Sequence, residues 1–166
     1  MEKKSEVVVR KLYQQKLKHN HKSLHVRETG LFICATNPIL RVSPDGVVDC
    51  KCCGTGLLEI KCPFSSHTNS LTGKEIAQRG KYHVALGSDG KVHLRKSSPW
   101  YTQIQTQLGV TGYPWCDFVL FTRKEPCLTI ERIYFDRNKF ENDVAKAMAF
   151  YEKFVYSKLL DNAFKC

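Results

Sequence analysis

Two acids and a lysine stand in an order that suits metal-assisted cleavage of phosphodiesters. Asp45 lies in Ser43-Pro44-Asp45-Gly46, and thirteen residues after it begins Leu58-Glu59-Ile60-Lys61-Cys62-Pro63. Successive side chains of a strand leave opposite faces, so Glu59 and Lys61 share one face while Leu58 and Ile60 point into a core behind them. Charges within the apolar run Leu57-Leu58-Glu59-Ile60-Lys61 need a partner or a cation to offset the cost of burial. The plain alternative is a β-turn at Pro44-Asp45-Gly46 and an exposed strand edge at Glu59-Ile60-Lys61. Acid after proline, together with acid and ammonium in an apolar strand, favours a site. If the two segments pair as an antiparallel hairpin with Asp45 opposite Glu59, the midpoint of the connection falls at Cys52. The turn then spans Asp49 to Gly56, with glycines where a turn wants them.

Elements must surround this hairpin to position it. Residues 5–19 read as a helix, with Val9, Leu12, Tyr13 and Leu17 as its apolar stripe. Residues 24–35 read as extended and residues 65–80 as a polar loop. A second hairpin is predicted over 82–94, turning at Gly87-Ser88-Asp89-Gly90. Ser98 and Pro99 offer an N-cap and a proline at the first helical position, for a helix running to Gly112. Residues 115–122 and 127–135 read as strands. From Asp136 as N-cap to about residue 160, a closing helix is predicted, with Phe140, Val144, Met148, Tyr151, Val155 and Leu159 on one face. The order describes an α+β domain: a mixed central sheet flanked by helices.

The chain has 166 residues, enough for one domain with a sizeable core, and a formal net charge of +10. That charge points to a polyanionic partner, nucleic acid first, because Lys and Arg near phosphates gain affinity by counterion release. The first residues lack the apolar core of a signal peptide, and no apolar run approaches a membrane span. A soluble intracellular protein with no membrane partner is expected, nucleus and cytoplasm not being distinguished. Its eight cysteines are then mostly free thiols.

The acid-lysine pattern, followed by a tyrosine- and glutamine-rich helix (Trp100 to Gly112) and by Trp115-Cys116-Asp117-Phe118, resembles the PD-(D/E)xK nuclease superfamily. It is more closely similar to the phage lambda-type exonucleases and YqaJ-like viral recombinases, over nearly the whole chain. The Cys-x-Cys-Cys-Gly turn resembles animal versions of that family. The resemblance implies a restriction-endonuclease-like core, with Asp45, Glu59, Lys61 and Gln103 as catalytic residues. One or two Mg²⁺ or Mn²⁺ ions would be held by Asp45, Glu59, the Ile60 carbonyl and Glu6, hard oxygen ligands suited to such ions. Read without the resemblance, Glu6 is a solvated acid in a helix's first turn. Gln103 matches the position that reaches Lys61 and the nucleophile. Gln107, one turn further along the same face, and Tyr101 are DNA-binding candidates. Gln105 reads as ordinary helix surface, and Trp100 as core in a stripe with Ile104 and Leu108.

The expected function is a metal-dependent deoxyribonuclease. In its finer form it is a 5′-to-3′ exonuclease on linear double-stranded DNA, acting in recombination or end processing beside a strand-annealing recombinase. Family members usually carry further residues before the first helix, including a basic segment that grips the terminal 5′-phosphate, so a shortened domain is expected here. The alternative is a truncated, catalytically weak DNA-binding relic of the same fold. A third reading is a zinc-stabilised interaction domain built on the cysteine turn. Structural zinc sites prefer two to four residues between paired ligands, and no Cys/His pair of that spacing completes Cys50-x-Cys52-Cys53. Free turn cysteines are therefore the default, and a structural Zn²⁺ on Cys50, Cys52, Cys53 and Cys62 the less favoured alternative. Oligomeric state is not legible.

Overall fold

A computed structural model describes residues 2–63, 70–80, 82–156 and 158–159. Helix α1 (Glu2–Leu17) buries Val9 and Tyr13 and partly buries Leu12 and Leu17, the stripe expected from their spacing. Strands β1 (His25–Arg27), β2 (Phe32–Ile33), β3 (Arg41–Val42), β4 (Gly46–Cys50) and β5 (Gly54–Lys61) follow. The extended stretch at 24–35 divides between two sheets: β1 pairs with β4, whereas β2 pairs with β3, a two-residue strand the sequence reading left out.

The β4–β5 hairpin forms in the expected register. Gly46 faces Leu58, which sets Asp45, one residue before β4, across from Glu59. The Asp45 amide donates to the Leu58 carbonyl at 3.0 Å. The strands run further towards the tip than expected, leaving residues 51–53 as the connection. Gly54 has φ 75°, a left-handed conformation that a side chain would disfavour.

Helix α2 (Gly73–Gln78) corrects the reading of residues 65–80 as loop; residues 65–69 lie outside the described ones. Its signal was present. Thr72 and Glu75 form a capping box, in which the Thr72 hydroxyl accepts from the Glu75 amide and the Glu75 carboxylate from the Thr72 amide. The hairpin of β6 (Val84–Leu86) and β7 (Val92–Leu94) turns at Gly87–Gly90 as predicted. Helix α3 (Pro99–Thr111) starts on Ser98, whose hydroxyl accepts from the Tyr101 amide, and stops at Gly112, φ 73°. Strands β8 (Trp115–Phe121) and β9 (Leu128–Tyr134) lead to α4 (Arg137–Phe150), capped by Asp136. The closing helix changes its winding after Phe150 and continues as a π-helix over residues 151–156, close to the expected end. Its apolar stripe is half-buried from Phe140 to Val155 and exposed at Leu159.

The main sheet has the order β1-β4-β5-β8-β9, with β5 and β8 parallel and the other neighbours antiparallel. It is the mixed sheet flanked by helices that the element order implied. Strand alternation divides its core in two. Leu58, Ile60, Trp115 and Val119 pack with Val9 and Tyr13 of α1. Leu57, Cys116, Phe118 and Leu120 pack with Ile104 and Leu108 of α3 and with Ile76 of α2. Glu59 and Lys61 alternate onto the α3 side, as required to meet the glutamines.

Asp117 locks α1 onto this sheet. It accepts a 2.5 Å hydrogen bond from the Tyr13 hydroxyl and two bonds from Arg132, at 2.8 and 2.9 Å. The Arg132 guanidinium in turn lies 3.7 Å from the centroid of the Trp115 ring. Burial, with the Asp117 charge beside it, pushes the Tyr13 phenol well above its ordinary value.

Gly56 faces Trp115 so closely that an added Cβ would land on the indole ring. Gly56→Ala is expected to cost about 1–3 kcal/mol, the usual range for overpacking a core. Chemical denaturation checks this, with Gly30→Ala, where a Cβ meets nothing, as the neutral control.

Candidate catalytic and metal-binding site

The hairpin delivers the acids and α3 delivers the amides. Glu59 is 1% exposed. Its Oε1 accepts from Lys61 Nζ at 2.6 Å and from Gln103 Nε2 at 2.7 Å, and its Oε2 from Gln107 Nε2 at 2.8 Å. Lys61 also donates to Gln103 Oε1 at 3.0 Å, so Glu59, Lys61 and Gln103 close a triangle. Three donors on a carboxylate with about four lone-pair positions leave room for a further electrophile.

Asp45 completes the group from across the hairpin. Its Oδ2 accepts from the Ile60 amide at 2.7 Å, which brings the Ile60 peptide against it. Burial, reinforced by the Glu59 charge, pushes the Asp45 carboxyl up to about 7. The Ile60 amide and Lys61 oppose that rise, while Glu6 adds to it. Glu6 therefore lies within electrostatic range of Asp45. Glu6, Arg10, Glu28 and Thr29 line a cavity of about 350 Å³ with Ser43, Pro44 and Asp45.

The residue types fit a divalent cation. Oxygen donors predominate, two of the carboxylates repel each other across one hairpin, and a buried acid near neutrality gains from any cation that holds it ionised. Gln107 Oε1 is buried with no hydrogen-bond partner among the described residues. Cys116, buried on the neighbouring strand, has its thiol pushed up by burial. It offers no competing soft anion.

A pH signature follows from Asp45. Its folded value exceeds the ordinary 3.8, so its contribution to stability is fully present below that value and is lost as pH rises towards 7. The melting temperature of metal-free protein is expected to fall between about pH 5 and about pH 8 through this group. Mg²⁺ should oppose the fall at the upper end. Thermal melts with and without chelator check this; an unchanged slope in Asp45→Asn would refute it.

The structure brings Asp45, Glu59, Lys61, Gln103 and the Ile60 peptide together, with Glu6 at their margin. Other candidates are placed differently from the reading of the sequence. Tyr101 is 6% exposed and packs in the core, at the edge of a cavity that Lys96 and Glu131 also line. Gln107 is buried under Glu59 rather than presented to DNA. Gln105 is not helix surface: it is fully buried, donating to the Tyr134 carbonyl and accepting from the Asp136 amide, and so ties α3 to the end of β9. Trp100, partly buried, does pack against the core that holds Ile104 and Leu108, between His83 and Phe118.

Two residues were missed. Arg10, one helical turn after Glu6, donates to the Asp45 carbonyl at 2.8 Å and pairs with Glu28. Its four-residue spacing from Glu6 was the available signal. Arg41 lines a cavity of about 230 Å³ with Ser43, Gln103 and Gln107. Nothing in its own segment marked it.

This sheet, with acids and lysine on its central hairpin and α3 behind them, is a PD-(D/E)xK fold. The profile of the YqaJ-like viral recombinase domain matches residues 3–114, and the chain belongs to that family. Two solved structures of LHK-Exo are similar to it. An alkaline exonuclease (LHK-Exo) from Laribacter hongkongensis is 26% identical, over 90% of this chain and 72% of that one, at TM-score 0.56. LHK-Exo in complex with dAMP is 25% identical, over 97% of this chain and 71% of that one, at TM-score 0.65. No curated protein matches the chain.

Proposed function

We propose that the protein is a metal-dependent deoxyribonuclease, and in its finer form a 5′-to-3′ exonuclease on linear double-stranded DNA. The observation that carries this is the closed triangle of Glu59, Lys61 and Gln103 facing Asp45 across one hairpin. The kinship with LHK-Exo, seen with dAMP, a deoxynucleoside monophosphate of the kind end-directed hydrolysis releases, supports it. So does the net charge of +10.

Asp45, Glu59, the Ile60 carbonyl and Glu6 would hold Mg²⁺ or Mn²⁺. Such an ion, when bound, neutralises charge on the scissile phosphate and makes water more acidic. Lys61, its ammonium held by Glu59 Oε1 and Gln103 Oε1, would meet the incoming phosphate beside the acids. There it orients the attacking water and stabilises the charge gathering on the phosphoryl oxygens. Water oxygen bonds to phosphorus and gives up a proton to solvent as the bond from phosphorus to the 3′-oxygen breaks, and the leaving oxygen takes up a proton from solvent. Gln103 fixes Lys61 and Glu59 relative to each other, limiting both to one geometry. Gln107 secures the second Glu59 oxygen from below.

The test is incubation of 5′-phosphorylated linear duplex and of closed circular duplex with Mg²⁺ or Mn²⁺. Loss of the linear DNA alone, with mononucleotides released from its 5′ ends and none formed by Asp45→Asn, is expected. Salt-sensitive binding without cleavage under either metal would overturn the reading and leave a DNA-binding relic.

A further inference from the structure

At the other end of the catalytic hairpin, four soft ligand atoms converge. His21 Nδ1 lies 3.2 Å from Cys53 Sγ, 3.5 Å from Cys52 Sγ and 3.6 Å from Cys50 Sγ. Cys50 Sγ and Cys52 Sγ are 3.1 Å apart, and Cys52 Sγ and Cys53 Sγ 3.7 Å. All four atoms fall within 4.8 Å of one another. A tetrahedron with edges near 3.5 Å has its centre about 2.1 Å from each corner, between a Zn–N bond of about 2.0–2.1 Å and a Zn–S bond of about 2.3 Å. Thiolate and imidazole favour zinc over the hard ions suited to the carboxylates of the other site.

Two segments distant in sequence have been brought together to make this arrangement. The pairing of β1 with β4 carries the segment after α1 along the hairpin, and the Lys51 amide donates to the Lys22 carbonyl at 3.0 Å. His21 is thereby laid against a turn whose own spacing, Cys-x-Cys-Cys, contains no recognisable zinc pair. Backbone amides complete the surroundings: those of Cys52 and Cys53 donate to Cys50 Sγ and that of Lys22 to Cys52 Sγ. Amides directed at sulfur are the outer partners that orient thiolate ligands. The Cys53 carbonyl accepts from Trp115 Nε1 at 3.2 Å, linking the turn to the ring beneath Arg132. Cys62, considered above as a fourth ligand, follows the far end of β5 and is not in the cluster.

We infer that His21, Cys50, Cys52 and Cys53 form a structural zinc site that staples the segment after α1 to the tip of the hairpin. The site is closed, with four protein ligands and no position left for substrate. It stands five residues of strand from Asp45, about 17 Å, so it takes no part in the reaction. Its effect is to hold α1, which carries Glu6 and Arg10, in a fixed relation to the strands that carry Asp45 and Glu59. The inference rests on the ligand geometry and is independent of the reaction proposed for the other site.

The test is elemental analysis of the full chain purified under reducing conditions without chelator, then stripped and reconstituted with zinc or cobalt. About one zinc per chain is expected, unchanged in Asp45→Asn and lost in the double variant Cys52→Ser/Cys53→Ser. Cobalt should give the sulfur charge-transfer and d–d absorption of a tetrahedral thiolate site, weakened in His21→Ala. Should the double variant fail to fold, the cobalt spectrum of the unaltered chain still decides. Only trace zinc after reconstitution with all thiols reduced would overturn the proposal. So would an octahedral cobalt spectrum, or full zinc retention by a folded double variant.

Discussion

Lys61→Ala is expected to lower kcat on linear duplex DNA by a factor on the order of 10²–10³ or more, because in the proposed reaction it removes the preorganised charge that would face the phosphate. Metal binding should separate from this loss. Lys61 occupies Glu59 Oε1 at 2.6 Å, so its removal frees an oxygen for the cation, and Mg²⁺ affinity measured by calorimetry should hold or tighten. Duplex binding should lose at most about one unit of salt slope, the share of a single phosphate contact. Gln103→Ala provides the graded comparison. It leaves acid and ammonium in place but unbraced, and a loss of about 10–100-fold is the usual cost of removing such a partner. Single-turnover kinetics with bound DNA distinguishes the two variants. Unchanged turnover in Lys61→Ala would remove the lysine from the mechanism.

The largest loss of stability is expected at Asp117. Replacing it with alanine strands Arg132 over the Trp115 ring and deprives the Tyr13 hydroxyl of its acceptor. Breaking a buried pair on one side costs about 3–5 kcal/mol, and the partial exposure of Arg132 argues for the lower end. At this chain length each kcal/mol moves the melting temperature by roughly 2–4 °C, so a fall of about 10 °C should be seen. Tyr13→Phe, which removes one hydrogen bond and no charge, should cost only about 1 kcal/mol. Asp117→Leu combined with Arg132→Met should recover much of the loss, since neither charge then remains to be desolvated. A double variant as unstable as the sum of the singles would show that the ion pair is not the cause.

Reading the sequence succeeded where one local rule decides the outcome. The hairpin register followed from counting between Asp45 and Glu59, and the start of α3 from Ser98 and Pro99. The triangle at Glu59 was reached through Gln103, whose place came from likeness to a family rather than from periodicity. Long-range contacts were illegible. Nothing near Gln105 discloses that its amide will satisfy the backbone between Tyr134 and Asp136. Tyr101 and Gln107 read as DNA-binding candidates, and Gln105 as helix surface, because a helix shows its periodicity without saying how much of its circumference the sheet will cover. His21 was missed because its cysteine partners lie on a strand that only the pairing of β1 with β4 brings near. Asp117 stood in a recognised motif, yet strand alternation turns it away from Glu59 and towards Tyr13.

The position of β5 has a consequence for the time scale on which the site can come apart. It is hydrogen-bonded on both sides, to β4 and to β8, and covered on both faces. Its amide protons should therefore exchange with solvent only through the rarest openings of the molecule, whereas those of α4, which has no buried residue, should exchange early. Glu59 and Lys61 then stay assembled while the carboxy-terminal helix opens and closes many times around them.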